Sequence, residues 1–115
     1  PRFCAPIIEP PVDVYETEDE VVVLIEIAGI LDEEVQVEVD GNTLTVSGER
    51  RPAGGQPRRL YSQIEICQGP FQRELFLPAE VNPDEARASY NAGMLEIGLP
   101  KAGQKLSRQV RIVAR

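Results

Sequence analysis

The chain has 115 residues, the size of one domain, and at that length roughly two-thirds of the unfolded surface can be buried without staples. Asp and Glu outnumber Lys and Arg 19 to 12, a net charge of -7, which opposes binding to nucleic acid or to an anionic membrane surface. No apolar run approaches the roughly 20 residues that span a bilayer, and the absence of His removes the commonest general base, nucleophile partner and metal ligand.

Helix signals are scarce, and ten Pro and nine Gly divide the sequence into short β-branched segments. Residues Pro1 to Pro11 read as an extended, Pro-rich lead-in. Val12 to Glu16 is a short strand with Val12, Val14 and Glu16 on one side. The acidic turn Glu18-Asp19-Glu20 follows. Val21 to Ala28 is almost wholly apolar, as expected of a central strand covered on both faces. Ala28-Gly29-Ile30-Leu31 breaks it, and Asp32-Glu33-Glu34 is a connector. Val35 to Val39 alternates, with Val35, Val37 and Val39 on one face, the period of a half-buried strand.

Asp40-Gly41-Asn42 is a tight-turn signature, and Thr43 to Ser47 returns as the partner strand, burying Leu44 and Val46. Glu49 to Arg59 contains Arg, Pro and a Gly pair and is expected as a loop. Leu60 to Ile66 is strand-like, with Leu60, Ser62, Ile64 and Ile66 on one side and Tyr61, Gln63 and Glu65 on the other. Gln68-Gly69-Pro70 turns the chain into a strand from Phe71 to Leu77, closed by Pro78. Ala79 to Asp84 is a loop. Ala86 to Tyr90 and Met94 to Leu99 form a hairpin about Asn91-Ala92-Gly93, with Leu95, Ile97 and Leu99 facing one way. About eight strands at 8- to 12-residue spacing describe an all-β sandwich or barrel. The tail is polar from Lys101 to Gln109 and ends on Val110-Arg111-Ile112. That segment is either a frayed end or edge strand of its own sheet, or a short motif that docks on another subunit.

No constellation for chemistry emerges. The carboxylates lie in connectors and on outward strand faces, and Asp32, Glu33 and Glu34 lack calcium-loop spacing. Gly54-Gly55 lacks the Lys-Ser/Thr and the helix of a phosphate loop. Arg50-Arg51 and Arg58-Arg59 have one aromatic neighbour, Tyr61, and read as solvated side chains or salt-bridge partners rather than a nucleic-acid patch. Cys4 and Cys67 are too few for a disulfide scaffold and lack metal spacing. They are expected as reduced thiols of a cytoplasmic protein, the other reading being a regulatory or intermolecular disulfide. No enzyme activity, cofactor, nucleic-acid partner or membrane partner is implied.

The final hairpin carries a resemblance. Ala88-Ser-Tyr-Asn-Ala-Gly93-Met-Leu95, followed by Leu99-Pro100-Lys101, is similar to the A-x-x-x-x-G-x-L signature of small heat-shock proteins. Upstream, Pro11-Val-Asp-Val-Tyr-Glu16 and Val23 to Gly29 resemble the first core strands of that family. Asn42-Thr-Leu-Thr-Val-Ser-Gly-Glu-Arg50 resembles its N-x-L-x-V/I-x-G-E-R segment. Gly69-Pro-Phe-Gln-Arg-Glu-Leu-Phe-Leu-Pro78 resembles G-x-F-x-R-x-F-x-L-P, with Leu75 where an aromatic is usual, and Val110-Arg-Ile112 matches the I/V-x-I/V tail motif. The matches span nearly the whole chain in order.

The resemblance implies an immunoglobulin-like sandwich of the α-crystallin type over residues 12–101, with residues 1–11 as the remnant of an N-terminal arm that is absent or very short. Residues 102–115 become a C-terminal extension. Leu60, Tyr61, Ser62, Gln63, Ile64, Glu65 and Ile66 would cross to a second subunit and pair beside its Val12 and Val14. Val110 and Ile112 would enter a groove on a neighbouring dimer between Val35, Val37 and Val39 on one side and Ala86, Ala88 and Tyr90 on the other. The same groove would receive clients. The implied function is ATP-independent holding of partly unfolded proteins, which prevents their aggregation under heat or other stress. One alternative is a CS-type co-chaperone sandwich, monomeric and docked on a larger chaperone. Another is an immunoglobulin-like adhesion module, commonly with a buried Trp and an internal Cys pair; this chain has no Trp, but a Cys4–Cys67 disulfide would favour it.

Overall fold

In a computed structural model, the chain is described over residues 4–31, 34–52 and 58–103. Among these residues seven strands form two antiparallel sheets. They are β1 (Val12–Glu16), β2 (Glu20–Glu26), β3 (Val35–Asp40), β4 (Thr43–Arg50), β5 (Gly69–Phe76), β6 (Arg87–Asn91) and β7 (Met94–Pro100). One sheet has the order β1-β2-β7-β6 and the other β3-β4-β5. The sandwich expected from strand spacing is therefore present, with β1, β6, β3 and β5 as its edges.

The core lies between the sheets. Val21, Val23, Ile25 and Ile27 come from the β2 segment, and Leu95, Ile97 and Leu99 from β7. Leu44, Val46 and Phe71 face them from the second sheet. Each set recurs every second residue, so pleating alone sends it to one side. Coverage of β2 on its other face is narrower than expected. Val22 is buried, but Leu24 is only partly covered and Glu26 is exposed, because β2 is central within its sheet and still has an outer face toward solvent. On that outer face Arg87 lies over Gly98 and pairs with Glu20. The guanidinium of Arg87, hydrogen-bonded to Glu20, holds the Glu20 carboxyl below the usual carboxylate range.

Both predicted hairpins close with two-residue loops. Asp40 pairs with Thr43 around Gly41-Asn42, and Asn91 pairs with Met94 around Ala92-Gly93. Ala92 and Gly93 have φ of 55° and 79°, the double left-handed geometry that matches strand twist in a tight hairpin. The Gly93 carbonyl then accepts from the Ile27 amide at 2.9 Å, which locks the hairpin tip to the end of β2. The connector after β5 contains a single 3-10 turn, Pro83–Glu85, capped by the Asn82 side chain.

Three expectations can be set against the structure, and the first and third are corrected. First, β4 runs on to Arg50, with Glu49 opposite Pro70 and Arg50 opposite Gly69, so the loop begins two residues later than its composition suggests. Second, Leu60 to Ile66 forms no ladder among the described residues. Its chain neighbours β4 and β5 pair with each other down to Arg50 and Gly69, so Leu60 to Ile66 lies outside that sheet and has no partner strand among the described residues. Third, Cys4 and Cys67 are not free thiols. They form a disulfide, with Cα atoms 5.6 Å apart, within the normal range for that bond. Sequence separation hid this pair. The lead-in returns alongside β5, where Ile8 makes a parallel bridge to Phe71.

Candidate interaction surfaces

The sandwich is open where β3 and β6, edge strands of opposite sheets, lie across from each other. A groove of about 200 Å³ runs between them, lined by Ile30, Val35, Val37, Ala88, Ser89, Tyr90 and Leu95. Parity explains the β3 and β6 lining apart from Ser89. Ala88 and Tyr90 pair with Ile97 and Leu95 and share their inward face. Arg87 and Ser89 belong to the outward set. Val37 is 36% exposed, while Val35 packs on the core beneath the groove. The Tyr90 hydroxyl donates to the Ile27 carbonyl at 2.7 Å, so the ring is fixed while its polar atom is satisfied away from the groove. The lining is almost wholly uncharged and suits an apolar side chain.

Four of the six groove residues expected from sequence are thus brought together: Val35, Val37, Ala88 and Tyr90. Val39 packs against the core and Ala86 lies one residue before β6, at the end of the 3-10 turn; neither lines the groove. Ile30, Ser89 and Leu95 are the residues that sequence reasoning did not assign to it. Leu95 reads as pure core from its period, and Ile30 lies in a strand break where no period applies.

The segment Leu60–Ile66 is a second apolar surface. Leu60 is 98% exposed, Ile64 67% and Ile66 71%; Tyr61, Ser62, Gln63 and Glu65 are exposed as well. Isolated exposed aliphatics are ordinary, but a run of them in one segment marks an interaction surface. The segment's far root is held firmly. The Arg50 guanidinium donates to the Cys67 carbonyl through Nε at 3.1 Å and Nη2 at 2.7 Å, and to the Ala28 carbonyl at 3.4 Å. Arg51 instead reaches Glu34 and Glu49, the salt-bridge role expected of it; the structural role of Arg50 is not visible in sequence because its acceptors are backbone atoms.

The third surface is the outer side of β1, which among the described residues pairs only with β2. Val12 packs on the core, whereas Val14 and Tyr15 are exposed. An unpaired, partly apolar edge of this kind is a template for another strand. Gly93 and Leu95 of the signature occupy the hairpin turn and the core as their chemistry demands. Val110 and Ile112 lie outside the described residues. No helix among the described residues is long and apolar enough to cross a membrane.

Comparison with known proteins bears on these surfaces. A profile of the Hsp20/alpha crystallin family matches residues 13–114. "Small heat shock protein C2" of Rickettsia felis is 29% identical over 103 residues, covering 90% of this chain and 67% of the relative. "Heat shock protein 16" of Schizosaccharomyces pombe is 31% identical, covering 89% of this chain and 73% of the relative. "16.9 kDa class I heat shock protein 1" of Triticum aestivum is 37% identical, covering 82% and 63%. The chain thus spans about two-thirds of the length of these relatives. Among solved structures, a small heat-shock protein from Xylella fastidiosa aligns with a TM-score of 0.71 and 28% identity, over 96% of this chain and 94% of that one. HspA from Xanthomonas axonopodis aligns at 0.69 with 31% identity, over 82% and 94%. Although the Cys4–Cys67 disulfide is of the kind an adhesion module would carry, a family match over nearly the whole chain decides against that reading and against the co-chaperone alternative. The chain belongs to the Hsp20/alpha crystallin family, the small heat-shock chaperones.

Proposed function

We propose that this chain holds partly unfolded proteins without ATP, acting in the cytoplasm as a symmetric dimer and as larger assemblies built from it. The observation that carries the reading is the apolar groove between β3 and β6 in a chain of this family. A groove lined by Val35, Val37, Ala88 and Tyr90 has no catalytic chemistry to offer. It can take up an apolar side chain that a native partner would have kept inside. No cofactor takes part.

In this reading Leu60–Ile66 pairs beside β1 of a second copy, and Val110 and Ile112 of the tail enter the groove of a neighbouring dimer. The support for the tail's role is the groove's apolar lining and the alternating V-x-I pattern. Burying one Val and one Ile gains roughly 1.5–3 kcal/mol each, less the cost of ordering the tail, so one such link alone is weak, about millimolar. Several links in one assembly hold through effective concentration, yet each can open on heating and leave its groove to a client. The similar protein from Xylella fastidiosa is described as having a distinct high order structure, which accords with assembly beyond the dimer. Replacing Val110 and Ile112 by Asp is expected to leave dimers and remove larger species, as read by size exclusion with light scattering. Large oligomers unchanged in the double variant would refute the tail's part.

The holding activity itself is tested by light scattering from a heat-labile protein mixed with an equimolar amount of this chain and no nucleotide. Scattering is expected to be suppressed. If it is unchanged even at several-fold excess, and again with any longer native chain that contains this one, the chaperone reading fails.

A further inference from the structure

Cys4 and Cys67 are 63 residues apart in sequence, and their bond joins two unlike segments. On one side is the lead-in. Residues 4–7 are exposed, and the next anchor is Ile8, whose amide donates to the Pro70 carbonyl at 2.8 Å and whose carbonyl accepts from the Gln72 amide at 2.9 Å. Arg73 adds a bond to the Pro10 carbonyl at 2.8 Å. The lead-in thereby covers the outer edge of β5. On the other side is Cys67, whose carbonyl is held by two nitrogens of Arg50.

The two halves of the disulfide therefore differ in what else restrains them. If the bond opens, Cys67 stays where Arg50 keeps it. Cys4 has no comparable second tie among the described residues, since residues 4–7 are exposed and the next anchor is Ile8. Two backbone hydrogen bonds at Ile8, the packing of its side chain on the core and the Arg73–Pro10 bond must then offset the ordering of residues 4–10, where before the tether gave that pairing a high effective concentration. Cys4 is exposed and Cys67 half-buried, so the Cys4 side of the bond is the more open to a small thiol.

We propose that Cys4 and Cys67 form a thiol–disulfide exchange site, worked by low-molecular-weight thiols and disulfides, that sets whether the lead-in stays on the β5 edge. In the opening direction a small thiolate attacks Sγ of Cys4. The Cys4–Cys67 bond breaks, and Cys67 leaves as a thiolate and takes a proton from water. A second small thiolate then attacks the mixed disulfide, releasing the Cys4 thiolate, which is protonated, and a small-molecule disulfide. The protein gains two electrons and two protons, and the two small thiols lose them. Closure is the reverse, with the small disulfide as oxidant. Reduction frees Ile7 and Ile8 and unpairs the backbone of β5 at Pro70 and Gln72; oxidation restores both. This inference stands on the geometry of the lead-in and not on the holding activity.

Amide hydrogen exchange tests it on the full chain in three forms: oxidised, reduced with dithiothreitol, and Cys4→Ser. Protection at the Ile8 and Gln72 amides is expected to fall about tenfold or more in the reduced chain and in the variant, while the β2–β7 ladder keeps its protection. Returning the reduced chain to oxidised glutathione should restore protection and remove two labelable thiols. Unchanged protection at Ile8 and Gln72 on reduction would make the bond a passive staple and overturn the proposal. So would thiols that stay labelable after treatment with oxidised glutathione.

Discussion

The intact chain is expected to sediment as a dimer, and a chain in which residues 58–66 are replaced by a short Gly-Ser linker as a monomer at the same concentration. Leu60, Ile64 and Ile66 are largely in solvent in a single copy, and burying three such side chains gains about 5 kcal/mol per arm before association costs. A twofold-symmetric exchange counts that gain twice, since each copy gives an arm and receives one. The natural receiver is the open side of β1, where Val14 and Tyr15 are exposed and the backbone lacks a partner strand among the described residues. The deletion should not disturb the sandwich, because Leu60–Ile66 belongs to neither sheet and Arg50 and Gly69 already pair at the segment's base. Near-ultraviolet circular dichroism of the variant should therefore match the parent. Ile64→Asp provides a smaller lesion, expected to weaken the dimer by about a hundredfold, since a charge would have to be desolvated at the centre of the exchanged strand. An intact dimer after the deletion would sink the strand-exchange reading.

Much of the sandwich is legible in the sequence because its determinants are local. The alternation of Val35, Val37 and Val39, the apolar run of Val21 to Ile25, and the hairpin residues Gly41-Asn42 and Ala92-Gly93 each act over a few residues. The groove was partly legible for the same reason. Strand parity places Val35 and Val37 opposite Ala88 and Tyr90, but it cannot say where a strand starts, and so Ala86 was misassigned. Long-range partnerships were not legible. Arg50 is bound to the carbonyl of Cys67, and Cys4 to its sulfur, through chain returns that no period encodes. The segment Leu60–Ile66 shows the opposite limit. Its pattern is that of a strand, yet the pattern says nothing about which chain provides the edge it needs.

Gly48 is the position where a family-like motif has its plainest physical cause, and Gly48→Ala is expected to cost about 1–3 kcal/mol of folding stability. A Cβ built on Gly48 would lie 2.6 Å from the Glu34 carbonyl oxygen and 2.6 Å from Cζ of Phe71. Neither neighbour can yield cheaply. One is backbone at the entry to β3, opposite Gly48 through the Val35 pairing. The other is the ring of Phe71, which is 1% exposed and packed among the core side chains. Glycine is needed here for space rather than for backbone conformation, since Gly48 is not among the positive-φ residues. A strand glycine is otherwise a weak choice, having no side chain to pack and more backbone freedom to lose. Urea unfolding of the parent, Gly48→Ala, Phe71→Leu and the double variant separates the two clashes. If the ring is the main obstacle, the double variant will be less destabilised than the two single losses together, with a coupling of about 0.5 kcal/mol or more. Strict additivity would assign the obstruction to the Glu34 carbonyl alone. A fully stable Gly48→Ala would mean that β3 and β4 can move apart at this point, and the account of why the G-E-R segment begins with glycine would be wrong.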